Sequence, residues 1–196
     1  MRIDVLENRF VEPTRELHPA FANDRVALRP FVEDDAPDVF ALYADREAVR
    51  FGFSPKMDDE HDAHRLIEET HRLARERTLF HFGVVERGRD RIVGHGTLFA
   101  FHEPSARAEV GYSVLRARWG EGLGTATVDA LARLAFEGAE LRRLEADVDP
   151  RNVASLRVLA KVGFEREGFA RERWILNGEV QDSVLFGLLR RSWRGA

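Results

Sequence analysis

A glycine-rich turn between a strand and a helix constrains this chain more than any other feature. Apolar and polar residues alternate over 109–114, which predicts a strand. The run GEGLG at 120–124 ends it, and apolar residues then recur at helical spacing from Thr125, the predicted cap, to Phe136. Because a helix N-terminus presents unpaired amides and the positive end of the dipole, the turn predicts an anion site.

The kind of anion is narrowed by the spacing of the glycines. A nucleotide-binding P-loop needs a lysine and a hydroxyl residue after its last glycine, whereas Gly124 is followed by Thr125 and Ala126. A dinucleotide fold needs GxGxxG, and this run is GxGxG. Both are disfavoured, and a turn in which glycine serves shape alone stays open.

Three segments, taken in order, resemble one known family. They are RVALRPF at 25–31 with DDA at 34–36, WGEGLG at 119–124, and NVASLRVLAKVGF at 152–164. The chain is similar to the GCN5-related N-acetyltransferase (GNAT) superfamily over residues 25 to 190, within it to the branch that acetylates ribosomal-protein N-termini. That superfamily's turn reads Gln/Arg-x-x-Gly-x-Gly/Ala. Trp119 replaces its first polar residue, which is typical of the branch.

The resemblance implies one α+β domain with a mixed, mostly antiparallel sheet flanked by helices. Residues 25–196 form this domain, and residues 1–24 form an irregular arm. The arm either packs on a partner subunit, as in a homodimer, or is a loosely ordered tail. Acetyl-CoA is the implied co-substrate, and no metal is expected.

Local patterns predict the order of the elements. The pattern predicts, in chain order, a short strand at 25–31, a helix capped by Asp34 or Asp35, a helix at 58–77, strands at 79–86, 91–101 and 107–115, a strand at 141–150, a helix at 152–162 and a strand from 163. Asn177-Gly178 predicts a hairpin.

Composition excludes several classes of protein. The 196 residues, 44% hydrophobic, suit one domain. Thirty Lys+Arg against 34 Asp+Glu give a net charge of -4, which argues against direct nucleic-acid binding. Without an 18-residue apolar run or a leader, we expect a cytoplasmic protein with no membrane partner. The absence of cysteine excludes an acyl-cysteine intermediate.

Cofactor contacts follow from the resemblance. The strand end at 113–115 pairs with the pantetheine arm, the glycine turn holds the pyrophosphate, and cations including Arg116 lie near the CoA phosphates, although each cation could equally be a solvated surface group. The implied set is Ser113, Val114, Leu115, Arg118, Trp119, Gly120, Gly122, Leu123, Gly124, Thr125, Asn152, Ser155, Arg157 and Lys161.

Acetyl transfer also needs a group that takes a proton from the amine. Glu109 in AEV matches the general base of the superfamily's histone-acetylating members; alternatively it pairs with Arg107. The carboxylates of Glu145, Asp147 and Glu172 are lesser candidates that would act through water.

The departing thiolate needs a proton in turn. Many members carry a tyrosine seven residues after the asparagine that matches Asn152, but position 159 is leucine. In the ribosomal-protein branch a helix serine is the proposed acid, and Ser155 matches it; alternatively it satisfies a local amide. Asn152 could cap the helix, bind pantetheine, or do both.

Histidines and aromatic residues carry weaker signals. A metal site built from His61, His64 and His71 is not expected. His95 is expected to be structural or to relay a proton. The aromatic residues Phe51, Phe53 and Trp174 are predicted in the core, with the acceptor groove as the alternative.

The sequence thus predicts an acetyl-CoA-dependent N-acetyltransferase in which an amine attacks the thioester directly. A protein N-terminal α-amine is favoured as acceptor, and a small-molecule amine is the other option. A module that binds and senses acyl-CoA without turning it over is the alternative function.

Overall fold

A seven-stranded sheet forms the centre of the protein. The computed structural model describes residues 22–176 and 178–195. The strands are β1 Val26–Pro30, β2 Leu79–Glu86, β3 Ile92–His102, β4 Arg107–Val114, β5 Arg143–Val148, β6 Glu165–Leu176 and β7 Glu179–Leu189. Their order is β1-β2-β3-β4-β5-β7-β6, and every neighbouring pair is antiparallel except β4 and β5. The predicted α+β fold with a mixed, mostly antiparallel sheet is confirmed.

Helices pack on both sides of this sheet. They are α1 Ala36–Ala44, preceded by a 3₁₀ turn at Glu33–Asp35, then α2 Arg46–Val49, α3 Glu60–Arg75, α4 Leu123–Arg133, which widens into a π turn at Leu134–Gly138, and α5 Val153–Val162. The predicted elements are present, with their ends shifted by a few residues.

One side of the sheet, which we call the apolar face, is a continuous hydrophobic core with α4 and α5. Its strand residues include Phe82, Leu98, Val110, Leu144 and Phe186. Alternation along each strand places them on one side. Leu131 and Phe136 from the helical side are fully buried against them.

The opposite side, which we call the polar face, carries titratable groups. By the strand register, its residues include His81, His95, Glu109, Glu145 and Asp147. Helices α1 and α3 cover it next to β1 and β2 through a smaller apolar cluster that contains Leu42 and Ile67. A buried ion pair between Arg29 and Asp35 also lies there.

The predicted cap at Thr125 is wrong, whereas Asp35 occupies the predicted N-cap position of α1 without making a capping bond. Gly122, with φ of 80°, is the N-cap of α4, and the helix begins at Leu123 before Thr125. Asp35 precedes α1 but makes no capping bond, because its carboxylate receives Arg29 at 2.6 and 2.8 Å. In α4 a left-handed glycine takes the place of the Thr125 hydroxyl cap. In α1 the contact with Arg29 occupies the carboxylate that would otherwise cap the helix.

The hairpin prediction is confirmed by its strands, since Leu176 pairs with Glu179 in an antiparallel register. Asn177 itself and most of the predicted arm, residues 1–21, lie outside the described residues. Just after them, the side chain of Asn23 donates to the Ala126 carbonyl at 2.8 Å and so ties the start of the domain to α4.

Candidate active site

A gap opens in the middle of the sheet where its only parallel pair separates. Strands β4 and β5 pair from Arg107 and Arg143 to Glu109 and Glu145. Within the described strands, no further pairing joins them, although β4 continues to Val114 and β5 to Val148. The unpaired backbone of β4 beside this gap is available to a ligand that binds as an extended chain.

The glycine turn lies at the end of β4 and leads into α4. Gly120 and Gly122 have φ of 81° and 80°, a conformation that favours glycine. Gly124 serves close packing instead: a Cβ there would lie 3.4 Å from the ring of Tyr112 and 3.4 Å from Val158. The first amides of α4 therefore face outward from a turn whose shape depends on glycine, as an anion site requires.

Cations near the turn differ in their availability. Arg118 is held by Glu86 at 3.0 Å and Glu121 at 2.7 Å, so its charge is already neutralised. Within the described part of the chain, Arg157 and Lys161 on α5 are exposed and have no ion-pair partner. Sequence reasoning missed Arg25, whose guanidinium lies 3.1 Å from where a Cβ of Gly122 would stand.

The backbone at 113–115 divides its hydrogen bonds between the two sides of β4. The Leu115 N–H donates to the Val93 carbonyl at 2.9 Å, so it serves β3. Since direction alternates along a strand, the Val114 N–H points toward the gap. The Val114 carbonyl accepts from the indole of Trp119 at 2.8 Å, which fixes the turn onto the strand end.

Glu109 stands at the point where β4 and β5 separate, on the polar face and half-buried. Burial raises the pKa of its carboxyl, and the negative charges of Asp147 and Glu145 raise it further, while Arg173 and Arg107 oppose the shift. A carboxylate becomes a stronger general base when its pKa is raised toward neutral pH.

The neighbouring carboxylates are engaged with arginines. Glu145 receives Arg107 and Arg143, and Asp147 receives Arg173. Arg107, the partner that Glu109 would need for a purely structural role, is thus paired with Glu145. Glu172 has φ of 50° in a bulge of β6, and its amide donates to Asp182 at 2.8 Å.

Ser155 lies in the first turn of α5, on the other side of the gap from β4. Its hydroxyl is 2.8 Å from the hydroxyl of Tyr112, and its amide donates to the side chain of Asn152 at 3.1 Å. Asn152 therefore caps the helix, as predicted. Leu159, at the position where many relatives carry a tyrosine, is fully buried in the core.

A second cluster on the polar face contains Tyr43, His81 and His95, of which the sequence indicated only His95. The Tyr43 hydroxyl is 3.3 Å from His81 Nε2, and the Tyr43 ring stacks on His95 at 5.3 Å. Burial lowers the pKa of His95 to about 4; burial and the neighbouring His95 also lower the pKa of His81. Both rings are neutral at pH 7, and the buried His95 Nδ1 has no hydrogen-bond partner among the described residues.

Two of the three aromatic residues predicted in the core, Phe53 and Trp174, form an aromatic rim. Phe53 is 57% exposed and packs edge-to-face on Trp174 at 4.9 Å, and Phe51 lies under Arg50 and Arg151. The core prediction is wrong for Phe53, whose ring is exposed and packs on Trp174 of β6, while Phe51 and Trp174 are half-buried. Within 22–176 and 178–195, no hydrogen-bond partner reaches the buried Nε1 of Trp174.

The described residues form neither a metal site nor a membrane-spanning helix. No group of three His, Cys, Asp or Glu within 22–176 and 178–195 is arranged to hold a metal ion. His64 pairs with Glu33, and His71 with the Phe31 carbonyl at 2.8 Å. Among the described helices, none has the length and apolar character needed to cross a membrane.

The site thus combines a gap in the sheet, a glycine turn at the start of α4 and a half-buried carboxylate, that of Glu109, whose pKa is raised. Residues 25–165 match the model of the acetyltransferase (GNAT) domain, and the chain belongs to this family. It is an acetyl-CoA-dependent N-acetyltransferase with acetyl-CoA as its co-substrate, and these findings do not favour the non-catalytic alternative.

Similar proteins agree with this placement. The probable N-acetyltransferase YjcK of Bacillus subtilis is 32% identical over 170 residues, which cover 84% of this chain and 93% of the relative. Ribosomal protein uS5-alanine N-acetyltransferase of Escherichia coli is 26% identical over 178 residues, 87% and 90% of the two chains. RimJ of Mycobacterium smegmatis, solved with CoA-disulfide, superposes with a TM-score of 0.74 at 26% identity over 88% of this chain and 90% of RimJ.

Proposed function

We propose that the enzyme acetylates the α-amine of a protein N-terminus and that Glu109 is its general base. The observation that carries the proposal is the position of Glu109: it is half-buried at the apex of the gap, on the polar face, with a raised pKa. The similarity to an enzyme named for an alanine of ribosomal protein uS5 supports an N-terminal acceptor.

The energetics of deprotonation suit this acceptor. At pH 7, neutralising an α-amine of pKa about 7.8 costs about 1.1 kcal/mol, whereas a lysine amine of pKa about 10.4 costs about 4.6 kcal/mol. A carboxylate is a weak base even when burial strengthens it. Glu109 therefore suits an α-amine better than a lysine side chain.

Binding of acetyl-CoA is assigned to the opposite end of the gap. The pyrophosphate lies on the amides that follow Gly122, with Arg157, Lys161 and Arg25 near the phosphates. The pantetheine arm runs along β4, where the Val114 N–H can donate to it or to the thioester oxygen. Such a donor stabilises the negative charge that develops on that oxygen.

The amine then approaches from the polar face. Its nitrogen attacks the thioester carbon, its proton passes to Glu109, and the thiolate leaves toward Ser155 on the side of α5. The rim of Phe53 and Trp174 lies over the same face and contacts the rest of the acceptor.

The test is transfer of labelled acetyl from acetyl-CoA to three acceptors of matched concentration. One is a peptide with a free N-terminal alanine and no lysine, the second the same peptide with a blocked N-terminus and one lysine, and the third a polyamine. Label in the first alone is expected. Label only in the second or third would reject the proposed acceptor. The same assay with the Glu109→Gln variant tests the assignment of the base. Its control variant is Glu137→Gln, which alters an exposed carboxylate 3.2 Å from Arg133.

A further inference from the structure

The hydrogen bond between Tyr112 and Ser155 bridges the gap in the sheet. Tyr112 belongs to the half of β4 that has left β5, and Ser155 begins the helix that follows β5. Their hydroxyl oxygens are 2.8 Å apart. A ligand that enters the gap from the glycine turn therefore passes beside this pair.

The ring of Tyr112 is held in place from two sides. It packs on Gly124, where a Cβ would stand 3.4 Å from the ring, and Val158 of α5 lies at the same distance from that point. The third glycine of the turn thus leaves room for the tyrosine. The Ser155 amide is fixed in turn by Asn152 at 3.1 Å.

Tyr112 keeps its own proton under working conditions. Burial raises the pKa of Tyr112 to about 12, against the opposing effect of the Ser155 hydrogen bond. A thiol has a pKa of about 8.5, so a thiolate does not take the proton of this phenol. A phenol that keeps its proton is able to donate it in a hydrogen bond to the Ser155 hydroxyl.

We propose that Tyr112 is a positioning residue: its hydroxyl donates to Ser155 Oγ and so directs the Ser155 hydrogen toward the sulfur of the acetyl-CoA thioester. A hydroxyl that receives one hydrogen bond keeps its own hydrogen for another acceptor. This role rests on the proposed function only in assigning Ser155 to the leaving group.

The bonds balance as follows. The C–N bond to the amine forms, the C–S bond breaks, and its electron pair stays on sulfur. Glu109 takes the amine proton and returns it to solvent. The thiolate is hydrogen-bonded by Ser155 until it takes a proton from water.

The first experiment compares affinity for CoA and for desulfo-CoA, which lacks the sulfur, by calorimetry at a pH where the thiol is ionised. Wild-type protein is expected to favour CoA about tenfold, since a hydrogen bond to a charged group has that effect. Tyr112→Phe and Ser155→Ala should both abolish the preference. Tyr43→Phe, which removes the hydroxyl of the other of the two tyrosines, should retain it.

The second experiment measures kcat for acetyl transfer to the alanine peptide. Tyr112→Phe and Ser155→Ala should each lower kcat about tenfold with little change in the KM for acetyl-CoA, and the double variant should be no slower than Ser155→Ala alone. A Tyr112→Phe protein with wild-type CoA preference would overturn the inference, as would additive losses of kcat. The binding comparison uses no acceptor, so a wrong acceptor would leave it unchanged.

Discussion

The two faces of the sheet have different compositions and different tasks. The apolar face packs side chains such as Phe82 and Leu144 against α4 and α5. The polar face carries Glu109 and Asp147, and it holds buried polar atoms at His95 and Trp174 that find no partner in the part of the chain that the structure describes. Buried groups of this kind cost stability unless a ligand satisfies them, so the comparison separates what holds the fold from what performs the chemistry.

The gap between β4 and β5 joins the two faces. Glu109 meets it from the polar side, and the Tyr112–Ser155 pair meets it from the side of the core. We therefore infer that the C–N bond forms on the polar face and that the C–S bond breaks on the side of the core.

The largest expected effect is on the apolar face. Phe136→Ala should lower the free energy of unfolding by about 3 to 5 kcal/mol, because it removes a fully buried ring from the main core. Denaturant titration measures the loss. A cost below about 1 kcal/mol would mean that this face does not carry the stability assigned to it.

On the polar face, a substitution should change activity more than stability. Glu109→Gln should lower kcat about 10²-fold while stability stays the same or rises, because a half-buried carboxylate is replaced by a neutral amide. Steady-state kinetics and thermal unfolding on one preparation give both values. A variant that loses stability and activity together would instead indicate a structural role.

A smaller effect is expected from the buried histidines. Their folded-state pKa values are lowered, so the unfolded chain binds more protons, and stability falls as the pH drops from about 6.5 toward 4. Between pH 7 and 5, His95 alone should account for about 2 kcal/mol.

His95→Asn tests this pH dependence directly. Its free energy of unfolding should decline less between pH 7 and 5 than that of the wild type, as measured by denaturant titration at both pH values. Equal declines in the two proteins would show that His95 is not held neutral by the fold.

The smallest effect concerns the aromatic rim. Phe53→Ala removes an exposed ring that packs on Trp174 at 4.9 Å. The KM for the acceptor peptide should rise a few-fold, as loss of about 1 kcal/mol implies, while the KM for acetyl-CoA stays constant. If only the KM for acetyl-CoA changed, the rim would contact acetyl-CoA and not the acceptor peptide.

Sequence patterns predicted β4 and β5 well because buried and half-buried residues alternate along the first half of β4 and along the whole of β5. The glycine turn could also be predicted from local sequence, because Gly120 and Gly122 adopt a conformation that favours glycine. Helix ends were less certain: the cap of α4 is Gly122 and not Thr125.

Contacts between distant segments could not be read from the sequence. Arg25 reaches Gly122, and the Tyr112 hydroxyl reaches Ser155, only because the sheet order and the packing of α5 bring them together. Alternation identified Tyr112 as a residue of the buried side of a strand, but it gave no sign of a hydrogen-bond partner 43 residues away.

The most direct test of the account is the pH dependence of kcat/KM for the alanine peptide in wild type and Glu109→Gln. Wild-type activity should rise through two ionisations, that of Glu109, whose pKa is raised, and that of the α-amine near 7.8. The variant should be slower and keep only the ionisation of the amine. A variant whose profile and rate match the wild type would contradict the assignment of Glu109 as the base.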